Sequence, residues 1–303
     1  VVHRRPWGVV GIIGTWNYPI FLNVVQIAQA LVAGNGVLWK PSEWMPRTAS
    51  VIAGLFRDAG FPEHILHVLP AQREAGSQLA EAAVDHVVFT GSEPVGRALA
   101  ARLGERLIPS TLELSGIDAM FVLADADLQL AAHAAWFGTT LNRGQTCLAV
   151  RRIFVARERV AHFATILGEV VKRATPMPLI TANQVAVAER LLNDAVSKGA
   201  SVLTGTAAGT CEHGFRPTFV LNAHPDMLIF HEPCFAPLAA ILPFDSIDDA
   251  LSTANRCSFG LGASIFTANV RLAEQLAARL CVGSVTINDV LAPTAHPATP
   301  LGG

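Results

Sequence analysis

The chain has 303 residues, of which 51% are hydrophobic and 15% charged, and its mean hydropathy is +0.40. That length accommodates one large or two ordinary domains; the low charge excludes a disordered protein and raises the question of a membrane protein. Twenty-two Lys and Arg against 24 Asp and Glu give a net charge of −2, too little basic field to draw nucleic acid or anionic lipid.

Residues 6–39 contain no Asp, Glu, Lys or Arg. A spanning helix needs about 20 predominantly apolar residues. This run, however, carries Asn17, Asn23, Gln26, Gln29 and Asn35, five glycines and Pro19. The pattern predicts a buried strand (8–13), a loop, and a helix (19–33) with Pro19 in its first turn. Strand 36–40, helix 46–59, strand 65–69, helix 74–83, strand 85–90, helix 93–103 and strand 107–114 follow. Apolar strands separated by amphipathic helices predict an α/β fold with a parallel sheet covered on both faces, whose ligands sit at the carboxyl ends of the strands.

A domain boundary is expected near residue 115, after which the pattern restarts. Strand 119–123 leads to helix 127–141 with Asp127 in its first turn, then to a loop around Cys147 and strand 152–155. Helices 159–173 and 182–198, strands 201–204, 217–221 and 238–243, helix 247–255, strand 262–266, helix 270–279 and strand 283–288 complete the chain. The five cysteines are widely spaced with no CxxC pair, which argues against a disulfide framework or a structural zinc site. With no signal peptide before the first strand, a reduced cytoplasmic setting is expected. The start at Val1 rather than Met points to a fragment of a longer protein.

Five segments contain groups suited to chemistry. Cys147 lies in Asn142-Arg143-Gly144-Gln145-Thr146-Cys147, a polar loop of the kind that exposes a thiol and depresses its pKa; the alternative is a buried, inert cysteine, the expectation for the other four. Glu113, between two leucines at a strand end, is either a base of raised pKa or a carboxylate that reaches water. Phe89-Thr90-Gly91-Ser92 opens a helix and offers N–H groups to a phosphate, or is an ordinary N-cap. Lys40-Pro41-Ser42-Glu43 offers groups to a ribose, or is a solvated turn. Asn17, in Thr15-Trp16-Asn17-Tyr18-Pro19, could donate to an oxyanion or simply form the turn.

In order and approximate spacing, these segments resemble the aldehyde dehydrogenase superfamily, and the likeness runs from Pro6-Trp7-Gly8 to Gly302-Gly303. The resemblance implies a Rossmann-like cofactor domain (1–115, truncated at its N-terminus), a second α/β catalytic thiol domain (116–290), and a segment (291–303) returning toward the first. It implies oxidation of a small-molecule aldehyde to the acid, with Cys147 as nucleophile, Glu113 as the base for deacylation and Asn17 in the oxyanion hole. Cofactor contacts fall to Ile13, Thr15, Trp16, Lys40, Ser42, Glu43, Gly91, Ser92, Val95, Leu114, Glu232 and Phe235. The cofactor is NAD, with NADP the alternative, because Glu43 would repel a 2′-phosphate. No metal, nucleic acid or membrane is expected, and the full-length form is expected to be a homo-oligomer, a dimer or tetramer. Trp136, Phe137 and Leu141 are either substrate lining or helix core.

Three departures from the family pattern stand out. In His231-Glu232-Pro233-Cys234-Phe235-Ala236-Pro237 the usual nicotinamide-ribose glutamate is replaced by Pro233, with Glu232 one residue early. Pro300-Leu301-Gly302-Gly303 stands for Pro-Phe-Gly-Gly, and the family's chains are considerably longer. A non-catalytic or truncated homologue that at most binds nucleotide is therefore the alternative. An acylating, coenzyme A-dependent branch is a third reading, disfavoured by Glu113.

Overall fold

A computed structural model describes residues 2–62 and 64–292. Of the segment 291–303 only Leu291 and Ala292 are described, so Pro300-Leu301-Gly302-Gly303 lies outside the described residues. The chain divides into two compact units, Val1–Leu114 and Ser115–Gly303.

The first unit alternates β1 (Val9–Ile13), α1 (Phe21–Val32), β2 (Gly36–Lys40), α2 (Pro46–Asp58), β3 (Leu66–Val68), α3 (Arg73–Glu81), β4 (His86–Thr90), α4 (Glu93–Glu105) and β5 (Ser110–Glu113). Its five strands are parallel in the order β3-β2-β1-β4-β5. Central strands are apolar throughout because both faces are covered. Ile27 of α1 and Ala49 and Ile52 of α2 pack on Val10, Ile12, Val37 and Trp39. Leu79 of α3 and Leu99 and Leu103 of α4 pack with Val87 and Phe89 on the other side.

Two details differ from expectation. Pro19 precedes α1 rather than sitting in its first turn, and its carbonyl accepts from the Asn23 side chain at 2.8 Å. Helix α4 extends to Glu105, and Leu107 (φ +54) and Ile108 close it by donating to Gly104 and Leu103, which shortens β5 at its start. The solvent side of α1 carries Phe21, Val25, Gln29 and Val32, so the exposed stripe of this helix has no charge at all.

The second unit contains β6 (Asp118–Val122), α5 (Leu128–Thr140), β7 (Val150–Ala156), α6 (Val160–Val171), β8 (Met177–Pro178), α7 (Ala182–Ser197), β9 (Ser201–Thr204), β10 (Gly214–Phe215), β11 (Thr218–Leu221), β12 (Leu238–Phe244), α8 (Ile247–Asn255), β13 (Gly262–Phe266), α9 (Val270–Ala277) and β14 (Ser284–Ile287). Seven strands form a sheet in the order β14-β13-β6-β7-β12-β11-β9, parallel except for β9. Helices α5 and α6 cover one face and α7, α8 and α9 the other. Asp127 caps α5, its Oδ1 accepting the Gln129 and Leu130 N–H groups at 2.9 and 3.1 Å. The antiparallel ribbon of β8 with β10 is too short to leave a sequence signal. Among the described residues, no helix is long and apolar enough to cross a membrane.

Trp39 is fully buried, and its indole N–H has no acceptor among the described residues. Trp39→Ala should cost about 3–5 kcal/mol in urea unfolding. Trp39→Phe, which removes the orphan N–H while keeping a ring, should cost much less.

Candidate active site

In the first unit the strand order reverses between β1 and β4, the place where doubly wound sheets take ligands at the carboxyl edge. The loop after β1 is held from below by Asn23. Its Oδ1 accepts from the Thr15 N–H at 3.2 Å, and its amide donates to the carbonyls of Thr15 and Pro19 at 3.2 and 2.8 Å. Asn17 and Trp16, on the same loop, are half-buried, and Asn17 Oδ1 accepts from the Thr15 hydroxyl at 2.8 Å. After β4, the Gly91 N–H is taken by the Glu113 carbonyl at 3.0 Å, while Ser92 occupies the N-cap of α4 without making a side-chain cap. That helix start is therefore not the self-satisfied cap of the alternative reading. Gln26 of α1 donates to the Thr90 hydroxyl at 3.0 Å and ties the two loops' supports together.

At the end of β2, Lys40 and Ser42 are buried, so the solvated-turn reading does not hold for them. The Lys40 ammonium lies 3.4 Å from Glu43, whose other oxygen accepts from exposed Arg73 at 2.7 Å. Burial opposes the charge on Glu43. The Arg73 hydrogen bond, its own backbone and the two nearby cations outweigh that and hold the carboxyl below its ordinary value. Ile13 and Leu114 are half-buried and Val95 is exposed. Glu113 ends β5 half-buried, and loss of hydration pushes its carboxyl above the usual range.

In the second unit Cys147 is half-buried and follows an unusual turn. Asn142, Arg143 and Gly144 all have positive φ, at 50°, 61° and 74°. For the two side-chain-bearing residues this left-handed conformation costs of order 1–3 kcal/mol each. Gly144 also packs so closely on the Ala236–Pro237 backbone that no Cβ would fit. On the other side of the loop, a Cβ on Gly116 would stand 2.6 Å from the Cys147 carbonyl oxygen and 2.8 Å from Asp118. The glycine of the Glu-Leu-Ser-Gly motif is thus required by the backbone of the thiol residue itself.

Below this loop lie three charged groups that the sequence reading passed over. Arg151 and Arg152 are almost fully buried at the start of β7. Arg152 donates to the carbonyls of Ile117 and Ala254 at 2.9 and 3.1 Å. The Arg151 guanidinium donates to the carbonyls of Gly144, Ala236 and Leu238. The Asp118 carboxyl, fully buried, is pushed up to about 7 by burial, against the pull of the Gly262 N–H, Arg152 and Arg151. Two adjacent arginines in an otherwise apolar strand were the available signal.

The remaining predicted residues scatter. Glu232 pairs through both oxygens with Arg190 of α7, and Phe235 is half-buried three residues on. Trp136 and Leu141 pack on the α5–α6 core, whereas Phe137 is exposed. None of the five cysteines forms a disulfide; Cys234 is buried and Cys211 and Cys257 partly so, but Cys281 is exposed, contrary to the expectation that all four would be buried.

The first sheet is of the doubly wound, Rossmann-like class. The aldehyde dehydrogenase family model matches residues 1–303, and the chain belongs to that family. It is 35% identical to the 4,4'-diapolycopene aldehyde oxidase of Methylomonas sp, over 100% of this chain and 58% of that protein. It is 37% identical to the benzaldehyde dehydrogenase (NAD(+)) of Pseudomonas putida, over 99% of this chain and 63% of that protein. The crystal structure of Mycobacterium tuberculosis aldehyde dehydrogenase complexed with NAD+ superposes with a TM-score of 0.89 at 33% identity, covering 94% of this chain and 62% of that one. The chain thus spans about three-fifths of the length of the curated relatives it matches.

Asn23→Ala removes the amide that holds the loop after β1 and should cost about 2–3 kcal/mol in chemical unfolding, by leaving the buried Thr15 N–H unpaired. A loss within a few tenths of a kcal/mol would show that the loop stands without it.

Proposed function

We propose that this chain carries out NAD(P)-dependent oxidation of an aldehyde to its carboxylic acid, with NAD the preferred cofactor. The observation that carries the reading is the setting of Cys147, a half-buried thiol three residues after a left-handed turn, with the Gly116 backbone against its carbonyl. The donor groups of the first unit fit a dinucleotide. A buried ammonium and a carboxylate at Lys40 and Glu43 suit a ribose, and the uncapped start of α4 at Ser92 suits a pyrophosphate.

Cys147 attacks the aldehyde carbon as thiolate, forming the C–S bond of a thiohemiacetal. The amide of Asn17 and the Cys147 N–H donate to the resulting oxyanion. When bound, the dinucleotide supplies a hydride acceptor, and the acyl group then remains on Cys147 as a thioester. Glu113 takes a proton from water as that water attacks the thioester, releasing the acid and restoring the thiol. The loss of hydration that raises the pKa of Glu113 makes it a stronger base than an ordinary carboxylate. Hydrolysis in this way distinguishes the reading from acyl transfer to coenzyme A. Five cysteines without a disulfide support a cytoplasmic location, and the uncharged stripe of α1 supports burial in a larger homo-oligomer, a dimer or tetramer.

A second reading, a homologue that binds nucleotide without turnover, is favoured by one observation: Arg190 engages both oxygens of Glu232, the residue placed to stand in for the missing ribose glutamate.

NADH absorbance with a panel of aliphatic and aromatic aldehydes should separate these readings. Reduction of NAD is expected without coenzyme A, lowered roughly a thousandfold or more by Cys147→Ala. Folded chain with no turnover at saturating NAD and NADP would leave only the nucleotide-binding reading. Glu113→Gln should keep a stoichiometric burst of NADH and lose steady turnover; unchanged turnover would remove Glu113 from deacylation.

The pH profile gives a separate check on Glu113. Only the ionised carboxylate is a base, so turnover should fall as pH drops through its raised pKa, at a pH above the ordinary carboxylate range. An acid limb centred at or below that ordinary range would contradict the assignment.

A further inference from the structure

Strand β7 carries a bulge at its start: Asp118 pairs with Val150 and Ala119 with Arg152, which leaves Arg151 unmatched against β6. A bulge of this kind re-aims the side chain of the extra residue. Here two consecutive arginines are both buried, with separate targets. Arg152 holds Ile117 and Ala254, whereas Arg151 turns back toward the loop that precedes its own strand.

Arg151 is 2% exposed. Its Nη2 donates to the carbonyl of Gly144, and its Nη1 donates to Ala236 and, at 3.1 Å, to Leu238. One planar group thus joins the last residue of the left-handed turn to the chain entering β12. Gly144 is pressed against the Ala236–Pro237 backbone at the same place. The turn is conformationally unfavourable by itself, so something outside it must hold it, and Cys147 follows three residues later. The titratable groups whose charges reach Arg151 are Asp118 and Cys234.

We propose that Arg151 is a positioning residue for Cys147: its buried fork clamps the turn 142–144 to the 236–238 segment and so fixes the thiol for attack. The proposal rests on the reading of Cys147 as the nucleophile. A lysine at this place would keep the charge but not the fork, which reaches carbonyls on two separate segments from one rigid plane.

The test uses the whole chain and needs neither aldehyde nor cofactor. Alkylation of Cys147 by iodoacetamide is followed residue by residue with mass spectrometry, from neutral to mildly alkaline pH, with exposed Cys281 as internal reference and circular dichroism melting in parallel. Arg151→Met should slow Cys147 by about tenfold or more and shift its pH profile, leaving Cys281 unchanged; misplacements of this size are costly to a reacting group. Arg151→Lys should recover part of the rate. Gly144→Ala, which forces the turn off Ala236 without touching the arginine, should slow Cys147 in the same way. Should Arg151→Met fail to fold, Arg151→Lys and Gly144→Ala carry the comparison. Lowered melting temperatures with an unaltered Cys147 rate and pH profile would reduce Arg151 to a structural role and overturn the proposal. A wild-type Cys147 no faster than Cys281 would instead overturn the nucleophile reading, and this proposal with it.

Discussion

A guanidinium taken out of water must find an acceptor for its donors, and at the start of β7 two of them do so on five backbone carbonyls. That constraint organises the amino edge of the second sheet. Arg152 draws in the chain before β6 and the end of α8; Arg151 draws in the thiol loop and the start of β12. Among the described residues no carboxylate accepts a hydrogen bond from either, although Asp118 lies within electrostatic reach of both. The carbonyls satisfy the donors, and the Asp118 carboxylate adds a Coulombic attraction that favours both charges.

The two units present their chemistry differently. In the first, polar groups gather at the carboxyl ends of parallel strands, where the loops after β1 and β4 and the turn after β2 converge. In the second, the thiol precedes β7 and so belongs to the opposite, amino end of its strand. A general rule about parallel sheets therefore finds the first set and says nothing of the second. The thiol loop is built by particular contacts at Gly116, Gly144 and Arg151 rather than by the topology of the sheet.

Wherever periodicity and punctuation act together, the sequence alone is enough: β2, α8, β9 and β13 begin and end at the expected residues. The errors share a physical origin. Leu107, Asn142 and Arg143 adopt a left-handed backbone that their side chains do not advertise, so Leu107 reads as the start of a strand rather than a helix cap, and the loop before Cys147 is legible while its handedness is not. Asn23 looked like one polar residue among several on an apolar helix, yet it supports the whole loop that precedes it. Arg151 owes its aim to a bulge, a register feature visible only once β6 and β7 are paired. The motifs single out Cys147, Glu113 and Lys40 but say nothing of the contacts at Gly116, Gly144 and Arg151, which run through backbone carbonyls that any residue possesses.

The solvent stripe of α1 has a consequence of a different kind. Phe21, Val25, Gln29 and Val32 offer nothing that ionises, and residues 6–39 contain no Asp, Glu, Lys or Arg. Self-association through such a face would ignore pH and would not be screened by simple salt, because no charge takes part. It would instead strengthen in sulfate or phosphate and weaken on cooling, following the hydration of apolar surface. Association through this one face is thus set by the hydration of apolar surface rather than by electrostatics.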